Sequence, residues 1–310
     1  MIVLCYLDNA IIITKKLRKE TIVTKTIMFF CVLLLMGCVE QPSIEEKKVK
    51  RIALVIGNQN YQDNVLKNPI NDATSIAEVL KKIGFKVTLK LDTTLAELNK
   101  SLRALKNEVE PNNTMVFIYF AGHGNTVDEN ASEEYLLMTD QARKTLVSIY
   151  KFYDFLRDVE SRYNIICIDA CRDYRQYNAV EAVKNGENFR GNLQTRGLRT
   201  GKGSKEIGEA FFDNNYSYKM PRSTIVSYAA MHQQRANDVS KNDKNHSSYA
   251  YGLIKFLDDK EIPIEEVFRR VRISQLEESN GTQSNLEETN LEKNIWLLPR
   301  KANITFMPPL

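Results

Sequence analysis

Apolar positions along this chain alternate between two rhythms from residue 51 onward. "RIALVIGN" (51–58) is a short continuous apolar run, the pattern of a buried strand. Pro69 follows Asn68, and Ile70, Ala73, Ile76, Ala77 and Leu80 then fall at helical spacing before Gly84. This predicts a helix capped by Asn68, opened by Pro69 and stopped at Gly84. "FKVTLKL" (85–91) is the next strand. A helix follows from about Thr94, with Glu97 in capping-box position, to Val109 before Pro111. A third strand is expected at 114–121, a helix at about 146–161 and a fourth strand at 164–170. The rhythm then fails over 172–222, and a run of that length without periodicity is usually functional or disordered. "STIVSYAA" (223–230) restores a strand, helices are expected at 247–257 and 263–276, and "NIWLL" (294–298) reads as a last edge strand after a polar stretch. Strands alternating with helices predict an α/β fold, a mostly parallel sheet of about six strands covered by helices on both faces. No internal repeat is visible.

Composition changes this picture little. The 310 residues are 43% hydrophobic and 26% charged, enough for a sizeable core. The net charge is +4, of which residues 1–37 hold +3, so the body is nearly neutral. That argues against a nucleic-acid protein, which would carry a basic face.

The N-terminal segment does not belong to the fold. Lys15, Lys16, Arg18, Lys19 and Lys25 precede "IMFFCVLLLMG" and then Cys38, the plan of a signal peptide too short to span a membrane. An uncleaved apolar anchor is the plainer alternative. Residues 1–22 form an unusual leader, and a start at Val23 would leave a compact signal peptide. "LLMGC" is similar to a bacterial lipobox, which implies removal of 1–37, a lipid on Cys38, a tether over 38–50 and a place in the cell envelope. Val39 favours the outer membrane if the cell has one. Of the 5 cysteines, Cys167 and Cys171 alone then remain in the body. Four residues of extended chain separate them by about 13 Å, too far for a disulfide.

The chemistry sits at two strand ends. "VFIYFAGHGN" carries a strand directly into His123 between Gly122 and Gly124, and "NIICIDACRD" carries another into Cys171. Open parallel sheets bind ligands at the carboxyl ends of their strands. A thiol beside an imidazole there is the arrangement of nucleophilic catalysis, the imidazole acting as base and then as acid. Gly122 would let the chain turn out of its strand. Gly124 would leave its N–H approachable, so that it and the N–H of Cys171 could bind an oxyanion. Either side chain alone could be structural. Zinc is a weak alternative, because no CxxC or HxxxH accompanies the pair. A nucleotide- or flavin-binding domain would need a Gly-rich loop after the first strand, and "GNQNYQDN" has one glycine.

"ALVIGNQNY", "LKNPINDA", "YFAGHG" and "DACRD" together resemble, in order and spacing, the caspase-like cysteine peptidases of the metacaspase and paracaspase branch. The likeness runs from about residue 51 to 298. It implies a three-layer α-β-α sandwich over 51–300, a short tail at 301–310 and a Cys171–His123 dyad with no third member required. It implies cleavage after Arg or Lys, with Asp72 and Asp169 lining the pocket and Asp238 a weaker candidate. Asp169 stands two residues before Cys171 and therefore on the same side of its strand. Asp72 could instead serve the helix dipole, and Asp169 could be a structural acceptor. His232 and Arg235 depart from the family pattern near the substrate, and His232 reads equally as a plain exposed polar residue. Within 172–222, residues 189–205 carry Arg190, Arg196, Arg199, Lys202 and Lys205 with four glycines and no acid. Such a loop is a candidate for self-cleavage, or a solvated linker. The family implies no cofactor, though calcium activation occurs in it; no EF-hand or acidic cluster places an ion here. The partner expected is a protein or peptide with a basic residue before the cut, and oligomeric state is open. The competing reading is a catalytically silent caspase-like module that binds peptides or partners.

Overall fold

In the computed structural model the chain divides into two compact units, Met1–Lys47 and Lys48–Leu310. The structure describes residues 49–62, 64–126, 134–141, 145–172, 211–213 (backbone), 216–232 and 234–298, all within the second unit. Cys38 and the basic segment 189–205 lie outside the described residues.

The elements run β1 (Lys50–Gly57), α1 (Pro69–Lys82), β2 (Lys86–Leu91), α2 (Leu95–Lys106), β3 (Thr114–Ala121), β4 (Gly124–Thr126), β5 (Glu134–Met138), β6 (Thr145–Ser148), α3 (Tyr150–Asp158), β7 (Tyr163–Asp169), β8 (Phe211–Asp213), β9 (Thr224–Tyr228), α4 (Ser248–Phe256), α5 (Ile264–Ser279) and β10 (Leu286–Thr289). Six of the strands form one sheet in the order β10-β9-β7-β3-β1-β2. Its pairs are parallel except β9–β10, so the mostly parallel six-stranded expectation holds.

The period-2 alternation of buried strands decides which helices cover which face. Ala53, Val55, Phe117, Tyr119, Ile165 and Cys167 point to one side, where Ala73, Ile76 and Leu80 of α1, Tyr249 and Leu253 of α4, and Phe268 and Val271 of α5 meet them. Ile52, Leu54, Ile56, Val116, Ile118 and Ile166 point to the other, against Leu98 and Leu102 of α2 and Phe152 and Leu156 of α3. Burying side chains of this size contributes about 1.5–3 kcal/mol each.

The ends of α1 and α2 follow the sequence with one correction. Thr94 Oγ1 accepts from the Glu97 N–H and the Glu97 carboxylate accepts from the Thr94 N–H, a complete capping box for α2. Gly84 takes a left-handed φ of 90°, and the Phe85 N–H bonds the Leu80 carbonyl to close α1. Asn68, expected to cap α1 through its side chain, does not: its amide donates instead to the carbonyls of Asp238 and Lys244.

A second sheet, β4-β5-β6-β8, went unforeseen. Residues 146–148, expected as the start of a helix, pair with β5 as part of β6, and α3 begins only at Tyr150. Leu146 and Val147 face opposite sides of this sheet, in separate clusters, as a strand requires. The edge strand is also displaced from expectation. Leu286–Thr289 pairs antiparallel with β9, whereas residues 294–298 form no strand and bury Ile295 and Leu297 in the core. An apolar run signals burial, but pairing needs a free neighbouring edge.

Candidate active site

Parallel registry brings the two strand ends together. Ala121 of β3 pairs with Asp169 of β7, and the Gly122 N–H continues the ladder to the Asp169 carbonyl at 3.2 Å. His123 and Cys171 each lie two residues past that last pair. The approach is close enough to demand glycine: a Cβ on Gly124 would stand 2.6 Å from Ala170 Cβ and 2.9 Å from the Cys171 carbonyl oxygen. Gly122 is required for a different reason than a turn. Its φ is not left-handed, but a Cβ there would stand 2.5 Å from the Tyr61 hydroxyl.

Tyr61 and Asn64, on the loop after β1, hold His123. The His123 N–H donates to the Tyr61 hydroxyl at 3.1 Å, the hydroxyl donates to the Leu137 carbonyl at 3.2 Å, and the two rings lie 4.6 Å apart. Nε2 of His123 is 2.8 Å from the Asn64 carbonyl oxygen. A carbonyl only accepts, so Nε2 carries the proton and Nδ1 holds the basic lone pair in the neutral ring. The loop rests on a small cluster of Tyr61, Leu66, Tyr135, Leu137 and Leu146, so the unforeseen sheet is the platform for the histidine.

Cys171 is a fully buried thiol outside any disulfide. Its sulfur accepts from the Ala236 N–H at 3.1 Å, and the Arg172 N–H donates to the Gln234 carbonyl at 3.0 Å, which lays Gln234–Ala236 beside Cys171–Arg172. Met231 and His232 on the same loop are exposed. Burial, then Arg172, lowers the pKa of His232, against an upward push from Glu288. Cys167 is core: burial above all pushes its thiol up, with Asp169 adding to the shift and a hydrogen bond with Tyr249 opposing it.

The acids converge on one residue that the sequence did not single out. Ser247 Oγ donates to Asp169 Oδ2 at 2.6 Å while its N–H donates to Asp72 Oδ1 at 3.0 Å. Tyr119 adds a hydroxyl to Asp169 Oδ2 at 2.9 Å. Both carboxylates are fully buried, Asp72 in the first turn of α1 and Asp169 on the face of β7 covered by α1 and α4. Asp238 sits nearby but is committed to the chain, accepting from the N–H groups of Lys67 at 2.6 Å and Asn68 at 3.4 Å. Its geometry is that of a loop anchor.

His246 makes a relay that resembles a hydrolase triad in outline, with Ser75 Oγ 2.9 Å from Nε2 and Asp243 Oδ2 2.7 Å from Nδ1. Ser75 lies within α1, where backbone N–H groups serve the helix, so no oxyanion donors surround it. The relay clamps the loop that carries Asp238. Among the described residues no three His, Cys, Asp or Glu side chains are grouped to hold a metal ion, so calcium is assigned no ligands and no step.

A mostly parallel six-stranded sheet covered by helices on both faces, with Cys171 and His123 just past the ends of neighbouring strands, defines a caspase-like α/β sandwich. The chain belongs to the caspase-domain family, whose profile matches residues 50–295. It is 25% identical over 144 residues to the human mucosa-associated lymphoid tissue lymphoma translocation protein 1, and 24% identical over 143 residues to the mouse homolog. These matches take in 45% and 44% of this chain but only 16% of either relative's length. Among solved structures, caspase-1 from Spodoptera frugiperda superposes with a TM-score of 0.55 at 12% identity, over 83% of this chain and 94% of that one. The resemblance seen in the sequence therefore holds for family and fold. The matched family is one of cysteine peptidases.

Proposed function

We propose that this chain is a cysteine endopeptidase that cuts after Arg or Lys and is tethered to the cell envelope by a lipid on Cys38. The observation that carries the peptidase reading is the packing of Gly124 on the Cys171 carbonyl, which brings the histidine's strand end onto that of the cysteine. Cys171 attacks the scissile carbonyl, and Nδ1 of His123 takes the thiol proton and returns it to the leaving amine. The Asn64 carbonyl fixes the ring and supports the imidazolium. N–H groups of Gly124 and Cys171 receive the oxyanion, and water then releases the acyl group. Asp72 and Asp169, two buried carboxylates joined through Ser247, support a pocket for a guanidinium or ammonium. The segment 189–205 offers Arg190, Arg196, Arg199, Lys202 and Lys205 to such a pocket and would be cut by it. Tethering rests on the residue pattern before Cys38; among the described residues no helix is long and apolar enough to cross a membrane.

The test is the detergent-solubilised full chain with fluorogenic peptides ending in Arg, Lys or Asp, with and without calcium, beside Cys171→Ala. Cleavage after Arg or Lys that vanishes in the variant is expected, together with nicking within 189–205 that also vanishes. A folded chain silent throughout would favour the peptide-binding module instead.

A further inference from the structure

Next to the dyad lies a buried charge pair that the mechanism does not use. Glu134 opens β5 and Arg172 follows Cys171; their side chains are 1% and 3% exposed, with Arg172 Nε 2.8 Å from Glu134 Oε2. The guanidinium carbon lies 3.7 Å from the centre of the Tyr228 ring, and Nη2 reaches Glu288 Oε1 of β10 at 3.8 Å. The carboxylate also borders the site. Glu134 Oε1 is 3.4 Å from where a Gly124 Cβ would be, and Thr126, two residues on in β4, pairs with Glu134.

We propose that Glu134 and Arg172 are positioning residues for the dyad: their buried contact holds β5, the partner of the strand that leaves His123, against the residue that follows Cys171, and so sets the separation of imidazole and sulfur. The proposal rests on Cys171 and His123 being the reacting pair. Stability alone is a poor account of the cluster. Arg172 Nη1 and both Glu134 oxygens lack aligned hydrogen bonds, and a buried ion pair in that condition contributes little to stability over apolar residues. Its geometric effect is specific, because the contact ties the partner strand of the segment that leaves His123 to the residue that follows Cys171.

The pair also has a handle in the working pH range. Burial pushes the Glu134 carboxyl up to about 8, Arg172 pulls it down, and Glu288 pushes it further up. Tyr228 and Tyr153 flank the cluster from β9 and α3, and His232 faces Arg172 and Glu288. Ionised Glu134 grips Arg172; protonated Glu134 does not.

The experiment compares wild type, Glu134→Gln and Glu288→Gln as full chains from pH 6 to 9.5. It reads kcat and KM on an arginyl peptide, the alkylation rate of Cys171 by iodoacetamide, and thermal stability. Wild type is expected to gain kcat and Cys171 reactivity through a limb near pH 8. Glu134→Gln should lose that limb and fall at least about tenfold in kcat at pH 9 with KM nearly unchanged. Glu288→Gln, at a residue 41% exposed in its side chain, should fold normally and move the limb to lower pH by removing a like charge. If Glu134→Gln does not fold, the Glu288→Gln shift decides. The stability arm isolates a merely structural role. A carboxyl raised on folding binds extra protons between its unfolded value near 4.5 and about 8, so stability falls as pH rises through that window, and Glu134→Gln removes this slope. Loss of the slope with both kinetic profiles intact would overturn the proposal, as would an unmoved limb in Glu288→Gln. A chain without peptidase activity whose alkylation limb vanished in Glu134→Gln would uphold the pair and sink the peptidase reading.

Discussion

His123→Ala is expected to lower kcat on an arginyl peptide by about 10²–10⁴-fold, the usual contribution of a positioned general acid–base, and to leave KM within about threefold. The split follows from where the groups stand. The imidazole is held by the Tyr61 hydroxyl and the Asn64 carbonyl, on the loop side of the site. The acids that would bind the substrate side chain meet at Ser247 under α1 and α4. Removing the ring would therefore strip proton transfer without touching those acids. Full-chain kinetics under saturating peptide check it. A loss shared equally by KM would mean that His123 binds substrate rather than moves its proton.

Asp169→Asn is expected to reduce kcat/KM for arginyl and lysyl peptides by about 30- to 1,000-fold, the cost of leaving a buried cation without its counter-charge. Asparagine matches aspartate in shape and can still accept from Tyr119 and Ser247, so the fold is expected to persist. Peptides with an uncharged residue before the cut should be cleaved no worse than before. Equal loss on charged and uncharged peptides, with a lower melting temperature, would make Asp169 a structural acceptor only.

The parts of this protein that were legible in its sequence are those governed by short periods. Continuous apolar runs in "RIALVIGN" and "VFIYFA" placed β1 and β3, and parity along β7 placed Asp169 on the same side as Cys171. What escaped was decided by long-range partners. Ser247 is an ordinary N-cap serine until folding brings Asp72 and Asp169 to it across 175 and 78 residues. Asn64 acts through its backbone carbonyl, which no side-chain pattern encodes. Glu134 and Arg172 carry charges that composition assigns to the surface, yet both are buried. The edge strand Leu286–Thr289 contains two glutamates and no apolar run, and only the open flank of β9 makes it a strand.

The most direct measurement is covalent capture of the nucleophile. The full chain is treated with an arginyl chloromethyl ketone, and the modified residue is located by peptide mapping. One adduct is expected, on Cys171, absent in Cys171→Ala and slow to form in His123→Ala. An aspartyl analogue should label poorly, and Cys167, its thiol raised by burial, should stay unmodified. Labelling of another residue, or labelling of Cys171 that is indifferent to His123 and to the charge of the probe, would contradict the account.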